Sequence, residues 1–294
     1  MPNTINDCST TNPPTIRAYL GGSFDPVHKG HLQMAMYVYE HLLPIAKQQQ
    51  RELQVSLLPN ARSPFKEDST DPEQRLAMLK LAIQDTPLQV NELELWQTPP
   101  VYTIDSVKTL RARYPHDSLI FIMGMDSARS LDKWKHGLAL TDHVNLWVFN
   151  RLSIAENDPI NNDENAIAQE KLINQDLVAS NLTALQSQLP IALQHFITDS
   201  ATDLVAPALR SLTDSSNLKN TVQGRIYIDP RPVAAISSTQ VRQKLRKQCP
   251  QNATLQPINA IINPTVPNSF AKWLNPAVYQ YIIDHQLYSA AQFR

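Results

Sequence analysis

Two runs constrain this chain most, Ser118-Leu-Ile-Phe-Ile-Met123 and Val144-Asn-Leu-Trp-Val-Phe149, each nearly all apolar and bounded by turn-forming residues. A strand with one face in water alternates polar and apolar side chains, so strands apolar on both faces have to be covered on both. Further short runs at 16–20, 53–58, 88–90 and 225–228 alternate with helical stretches at 28–43, 71–83, 103–114, 238–247 and 276–285. One helix start is explicit: Asp71 at the N-cap, Pro72 at the first helical position, Glu73 in the first turn and Gln74 completing a capping-box pattern. Strand and helix in alternation predict an α/β fold, a doubly wound and mainly parallel sheet with helices on both faces.

Residues 152–222 break that rhythm. They hold nine Asp/Glu against three Lys/Arg, contain no Gly, and show only weak helical periodicity at 166–177 and 182–196. The expected organisation is a loose tail at 1–14, one domain formed by 15–151 and 223–294, and an acidic, partly helical insertion at 152–222. With the whole chain at −1, the remainder carries +5, too little and too scattered for a nucleic-acid groove. An apolar fraction of 42% with 18% charged residues excludes wholesale disorder. No run reaches the ~18 apolar residues of a membrane span, and the first residues lack the basic and apolar regions of a signal peptide. Cys8 and Cys249 are too few for a disulfide framework, which fits a reducing compartment. A cytoplasmic protein is expected, with neither nucleic acid nor membrane as partner.

Only six glycines occur in 294 residues, and Gly21, Gly22 and Gly30 fall within ten consecutive positions. They frame Gly22-Ser23-Phe24-Asp25-Pro26-Val27-His28-Lys29-Gly30-His31, between the first strand and the first helix. Ligands of an open parallel sheet bind at the carboxyl ends of its strands, and a helix N-terminus there presents free N–H groups to an anion. His28 and His31 share a helical face, and Gly30 removes a side chain where a phosphate must come close. Dinucleotide and P-loop glycine patterns are absent, and no third His or nearby Cys completes a zinc site. A second segment, Ile236-Ser237-Ser238-Thr239-Gln-Val-Arg242, combines a helix cap with a guanidinium one turn later, suited to holding phosphate.

The first segment resembles the G-x-F-x-P-x-H-x-G-H signature of the nucleotidylyltransferase superfamily, and the second its I-S-S-T-x-x-R signature. The resemblance implies a Rossmann-like fold. The intervening sequence is similar to bacterial nicotinate-nucleotide adenylyltransferases. Leu58-Pro-Asn60 with Pro64-Phe65-Lys66, Val101-Tyr102-Thr103-Ile-Asp-Ser-Val107 and Phe121-Ile-Met-Gly124-Met-Asp126 with Trp134 each match a family segment. The family's usual His is Phe65 here.

The resemblance implies transfer of the adenylyl group of ATP to nicotinate mononucleotide, giving deamido-NAD and pyrophosphate, with Mg²⁺ brought by ATP. It assigns His28, His31 and Arg242 to the ATP phosphates, and Gly22, Ser23, Phe24, Gly30, Gly124, Asp126, Ser238, Thr239 and Arg151 to ATP binding. Lys66, Tyr102, Thr103 and Trp134 are assigned to the pyridine nucleotide, Trp134 by stacking on its ring. Two alternatives stay open at this point: another acceptor, such as nicotinamide mononucleotide or phosphopantetheine, or a non-catalytic nucleotide sensor.

Overall fold

In the computed structural model the first strand, β1 (Ile16–Gly22), is flanked by β2 (Leu53–Pro59) on one side and β4 (Ser118–Gly124) on the other. With β3 (Gln89–Val90), β5 (Asn145–Leu152), β6 (Ile197–Thr198) and β7 (Ile226–Ala234), the order is β3-β2-β1-β4-β5-β7-β6, and every pair is parallel. Winding reverses between β1 and β4, which places a ligand crevice outside their carboxyl ends. The structure describes residues 13–61, 69–152, 182–206, 224–234, 236–248, 270 and 272–288.

The apolar runs behave as two-faced burial requires. In β4, Ile120 and Ile122 enter one core while Leu119, Phe121 and Met123 enter the other. The first core is roofed by α1 (Lys29–Gln48), α2 (Pro72–Ile83) and, further along, α6 (Ser238–Gln248) and α7 (Pro276–Asp284). The second lies under α3 (Thr103–Arg113), through Ile104, Val107 and Leu110. Between β4 and β5 the chain forms only α4 (Met125–Ala128) and two 3-10 turns, 131–133 and 137–142.

Three local expectations need correction. α1 runs past Pro44 to Gln48, because Pro44 faces solvent while Leu42 and Ala46 keep the helix anchored in the core. The Asp71 side chain does not cap α2, and Gln74 Oε1 instead accepts from Tyr281 Oη at 2.6 Å. The helix expected over 182–196 is two short pieces, 182–186 and α5 (Ile191–Gln194), separated at Pro190.

The stretch 182–206 is stitched into the domain. Leu185, Leu189 and Leu193 pack into the α3-side core, and Ala201, Leu204 and Val205 into the α1-side core, so the segment wraps around one edge of the sheet. On the way it adds β6, paired with β7 at Ile197–Ile226 and Thr198–Tyr227. At the amino ends of the strands, Arg51 Nη1 and Ser118 Oγ both donate to the Val205 carbonyl, at 2.5 and 2.6 Å. The helical pattern at 166–177 lies outside the described residues. Among the described residues no helix is long and apolar enough to cross a membrane.

Candidate active site

β1 delivers Gly22 to the carboxyl edge of the sheet, and the next residues turn sharply into α1. Phe24 takes a left-handed φ of 47°, a conformation unfavourable for a bulky residue. Its ring is fully buried. Gly22 makes room for that ring, since a Cβ there would sit 3.2 Å from it. The Phe24 ring stands edge-on to His31 with centroids 4.9 Å apart.

His28 is the N-cap of α1 and stacks on His31, with centroids 3.6 Å apart and planes 17° from parallel. The His28 backbone N–H donates to His31 Nδ1 at 3.3 Å. A neutral ring whose Nδ1 accepts carries its proton on Nε2, so His31 is set up as a donor at that atom. Gly30 also has a packing reason that its spacing did not imply. A Cβ there would meet the Ala234 carbonyl oxygen at 3.0 Å and His28 Nδ1 at 3.2 Å, so glycine lets α1 abut the end of β7.

The second signature turn closes on the first. Ser237 and Gln240 form a capping box: Gln240 N–H donates to Ser237 Oγ at 3.2 Å, and Ser237 N–H to Gln240 Oε1 at 3.0 Å. Ser238 Oγ donates to the Pro26 carbonyl at 3.0 Å. Arg242 donates to the Asp25 carbonyl at 2.6 Å and to Thr239 Oγ1 at 3.3 Å. Two segments more than 200 residues apart in sequence are thus in direct contact.

Residues that the sequence reading passed over hold these turns in place. Asp25, 2% exposed, accepts from Tyr288 Oη at 2.7 Å and from the Thr70 N–H at 3.3 Å. Burial, and after it the Asp25 charge, push the Tyr288 hydroxyl well above its ordinary pKa. Arg75, 1% exposed on α2, donates to the carbonyls of Ser23, Ala61 and Thr70 and, at 3.4 Å, to Asn60 Oδ1. Its spacing to Leu79 and Ala82 puts it on the buried stripe of α2, a signal that helical phase alone carries.

The residues expected around the pyridine ring also come together. Tyr102 is the N-cap of α3 and Thr103 its first residue. Trp134 ends the 131–133 turn and packs, half-buried, against the α3-side core. The adjacent Lys135 lies 4.1 Å over the Tyr102 ring and pairs with Asp105 at 3.4 Å. Glu94, 7% exposed, has its pKa raised by burial, with the nearby Ser106 hydroxyl opposing the shift. A carboxyl whose folded pKa lies above its unfolded one binds more protons when folded, so stability falls as pH rises from the unfolded value through the folded one. Glu94→Gln should therefore melt higher than the unaltered chain at neutral pH and lose that part of the pH dependence. Thermal unfolding between pH 4 and 8 checks this, and equal melting temperatures at neutral pH would contradict it.

Beyond Gly124, which ends β4 and caps α4, lies a cavity of about 420 Å³. Exposed Asp126 lines it with Met125, Arg129, Asn150, Ile236 and Gln240. Arg129 and Asn150 carry no signal in the sequence that marks them. Arg151 sits on β5 opposite Val233, and its side chain lies outside the described residues, as does all of Lys66. Among the described residues no cluster of three or more His, Cys, Asp or Glu is placed to hold a metal ion.

Comparison with known proteins shows the family and the fold. Residues 19–244 match the cytidylyltransferase-like family. A probable nicotinate-nucleotide adenylyltransferase of Idiomarina loihiensis is 31% identical over 278 residues, covering 93% of this chain and 99% of that one. The nicotinate-nucleotide adenylyltransferase of Bacillus subtilis is 42% identical over 118 residues, 39% of this chain and 58% of its own. The fold is that of the Plasmodium falciparum nicotinic acid mononucleotide adenylyltransferase complexed with NaAD, at a TM-score of 0.51 and 17% identity over 93% of this chain and 97% of that one.

Proposed function

Because the chain belongs to the cytidylyltransferase-like family, and within it to the nicotinate-nucleotide adenylyltransferases, we infer that it makes nicotinate adenine dinucleotide and pyrophosphate from ATP and nicotinate mononucleotide, a step of NAD biosynthesis. The observation that carries this reading is the contact between the two signature turns, through Ser238 to Pro26 and Arg242 to Asp25. It gathers two imidazoles, a guanidinium, hydroxyls and a helix N-terminus at one rim of the sheet.

A phosphate oxygen of nicotinate mononucleotide attacks the α-phosphorus of ATP, and the bond to the bridging oxygen of pyrophosphate breaks. No protein nucleophile is needed, because positioning and stabilisation of charge on the phosphoryl oxygens provide the acceleration. His31 Nε2–H, His28 and Arg242 donate to those oxygens, with Ser238 and Thr239 beside them. These groups suit anionic oxygen rather than a hard cation, which fits Mg²⁺ arriving on the triphosphate and neutralising its charge. Asp126, at the cavity, takes the ribose hydroxyls. Backbone N–H groups near Tyr102, Thr103 and Trp134 read the nicotinate carboxylate, and Lys66 contacts the attacking phosphate.

Mixing ATP with nicotinate mononucleotide and measuring pyrophosphate and dinucleotide tests the activity. Parallel reactions with nicotinamide mononucleotide and phosphopantetheine should be slower, and a sensor would release no pyrophosphate with any acceptor. Trp134→Ala should raise KM for nicotinate mononucleotide about tenfold, the equivalent of one aromatic stack. The KM for ATP should stay within about twofold, and equal effects on both would contradict stacking.

A further inference from the structure

We propose that Gln188, carried by the segment that wraps the sheet edge, is a specificity-determining residue for the nucleobase of the triphosphate. The proposal rests on the ATP reading above. Gln188 lines the 420 Å³ cavity together with Met125, Asn150, Ile236 and Gln240, although it lies far from both signatures in sequence. The cavity opens beside Ser237, while Ser238 and Arg242 on the same helix reach the first signature turn. A triphosphate gripped at that contact places its nucleoside in this cavity.

The lining has the character of a base pocket. Met125 and Ile236 offer apolar surface to the faces of a flat ring. The Gln240 oxygen is taken up by the Ser237 N–H and Oγ–H at 3.0 and 3.1 Å, so Gln240 can add only N–H donors. Asn150 and Gln188 add further carboxamides, each presenting a donor and an acceptor side by side, the pair that matches the amino group and ring nitrogen of adenine. Gln188 brings that pair from a fixed backbone. Its N–H is bonded to the Leu185 carbonyl at 3.1 Å, and Leu185 and Leu189 on either side are buried. The residue is itself exposed, so replacing it leaves the core intact.

The test uses the full chain and its Gln188→Leu and Gln188→Glu variants, with ATP, GTP and inorganic tripolyphosphate. Gln188→Leu should raise KM for ATP about tenfold, as expected when a site built to hydrogen-bond loses a partner. The preference for ATP over GTP should narrow by a similar factor, and Gln188→Glu should also weaken ATP by removing the donor. KM for nicotinate mononucleotide should not move. Tripolyphosphate has no base, so its inhibition constant should be the same in all three proteins. An ATP KM within twofold of the unaltered value in Gln188→Leu overturns the proposal. So does a parallel shift in tripolyphosphate inhibition, which would mean that the phosphate cradle had been disturbed. If the unaltered chain forms no dinucleotide, the activity itself fails and this proposal with it.

Discussion

His31→Asn should slow dinucleotide formation by about 10²–10³-fold, the usual cost of losing one donor aimed at developing charge. Its melting temperature should stay within a few degrees of the unaltered chain. The asparagine oxygen stands where Nδ1 stood, so the acceptor for the His28 N–H is retained. What disappears is the Nε2–H, together with the stack on His28 and the edge contact to Phe24. His31→Gln reverses the exchange, keeping reach toward the phosphates and losing the local acceptor, so it should recover part of the rate at some expense in stability. If His31→Asn turned over at the normal rate, the donor role would be wrong. A rate lost only in step with unfolding would reduce His31 to a structural residue.

Arg75→Met should have the largest effect on stability, about 3–5 kcal/mol. Methionine fills much of the volume, but the carbonyls of Ser23, Ala61 and Thr70 lose a charged donor in a buried place. Melting temperature should drop by roughly 10 °C. The variant should also show a higher KM for nicotinate mononucleotide at temperatures where it remains folded. Ala61 and Thr70 lie before and after the Pro64–Lys66 signature segment, so the arginine ties both of its approaches to the first signature turn. A variant that melts as the unaltered chain does would remove Arg75 from this role.

The sheet was legible in the sequence because its strands are apolar on both faces, and the two signatures were legible because glycine, histidine and capping residues cluster at strand–helix turns. The segment 182–206 was not. Its strand is two residues long, its helical pieces are broken at Pro190, and its hold on the domain comes from Leu185, Leu189, Leu193, Leu204 and Val205, whose partners are distant in sequence. The packing of Gly30 against a β7 carbonyl and the His28 ring has no local signal, because Ala234 is distant in sequence. Arg75 and Tyr288 escaped notice because nothing in their local sequence separates a buried, fully engaged polar side chain from a solvated one.

The two-residue pairing of β6 with β7 has a consequence for any shortened form of the chain. Without 182–206, β7 would become the rim of the sheet, with the Ile226 N–H that donates to the Phe196 carbonyl left bare beside uncovered leucine sites. Such a rim is a template for strand addition by another copy. Trimming this region to a minimal catalytic unit would leave a chain that self-associates.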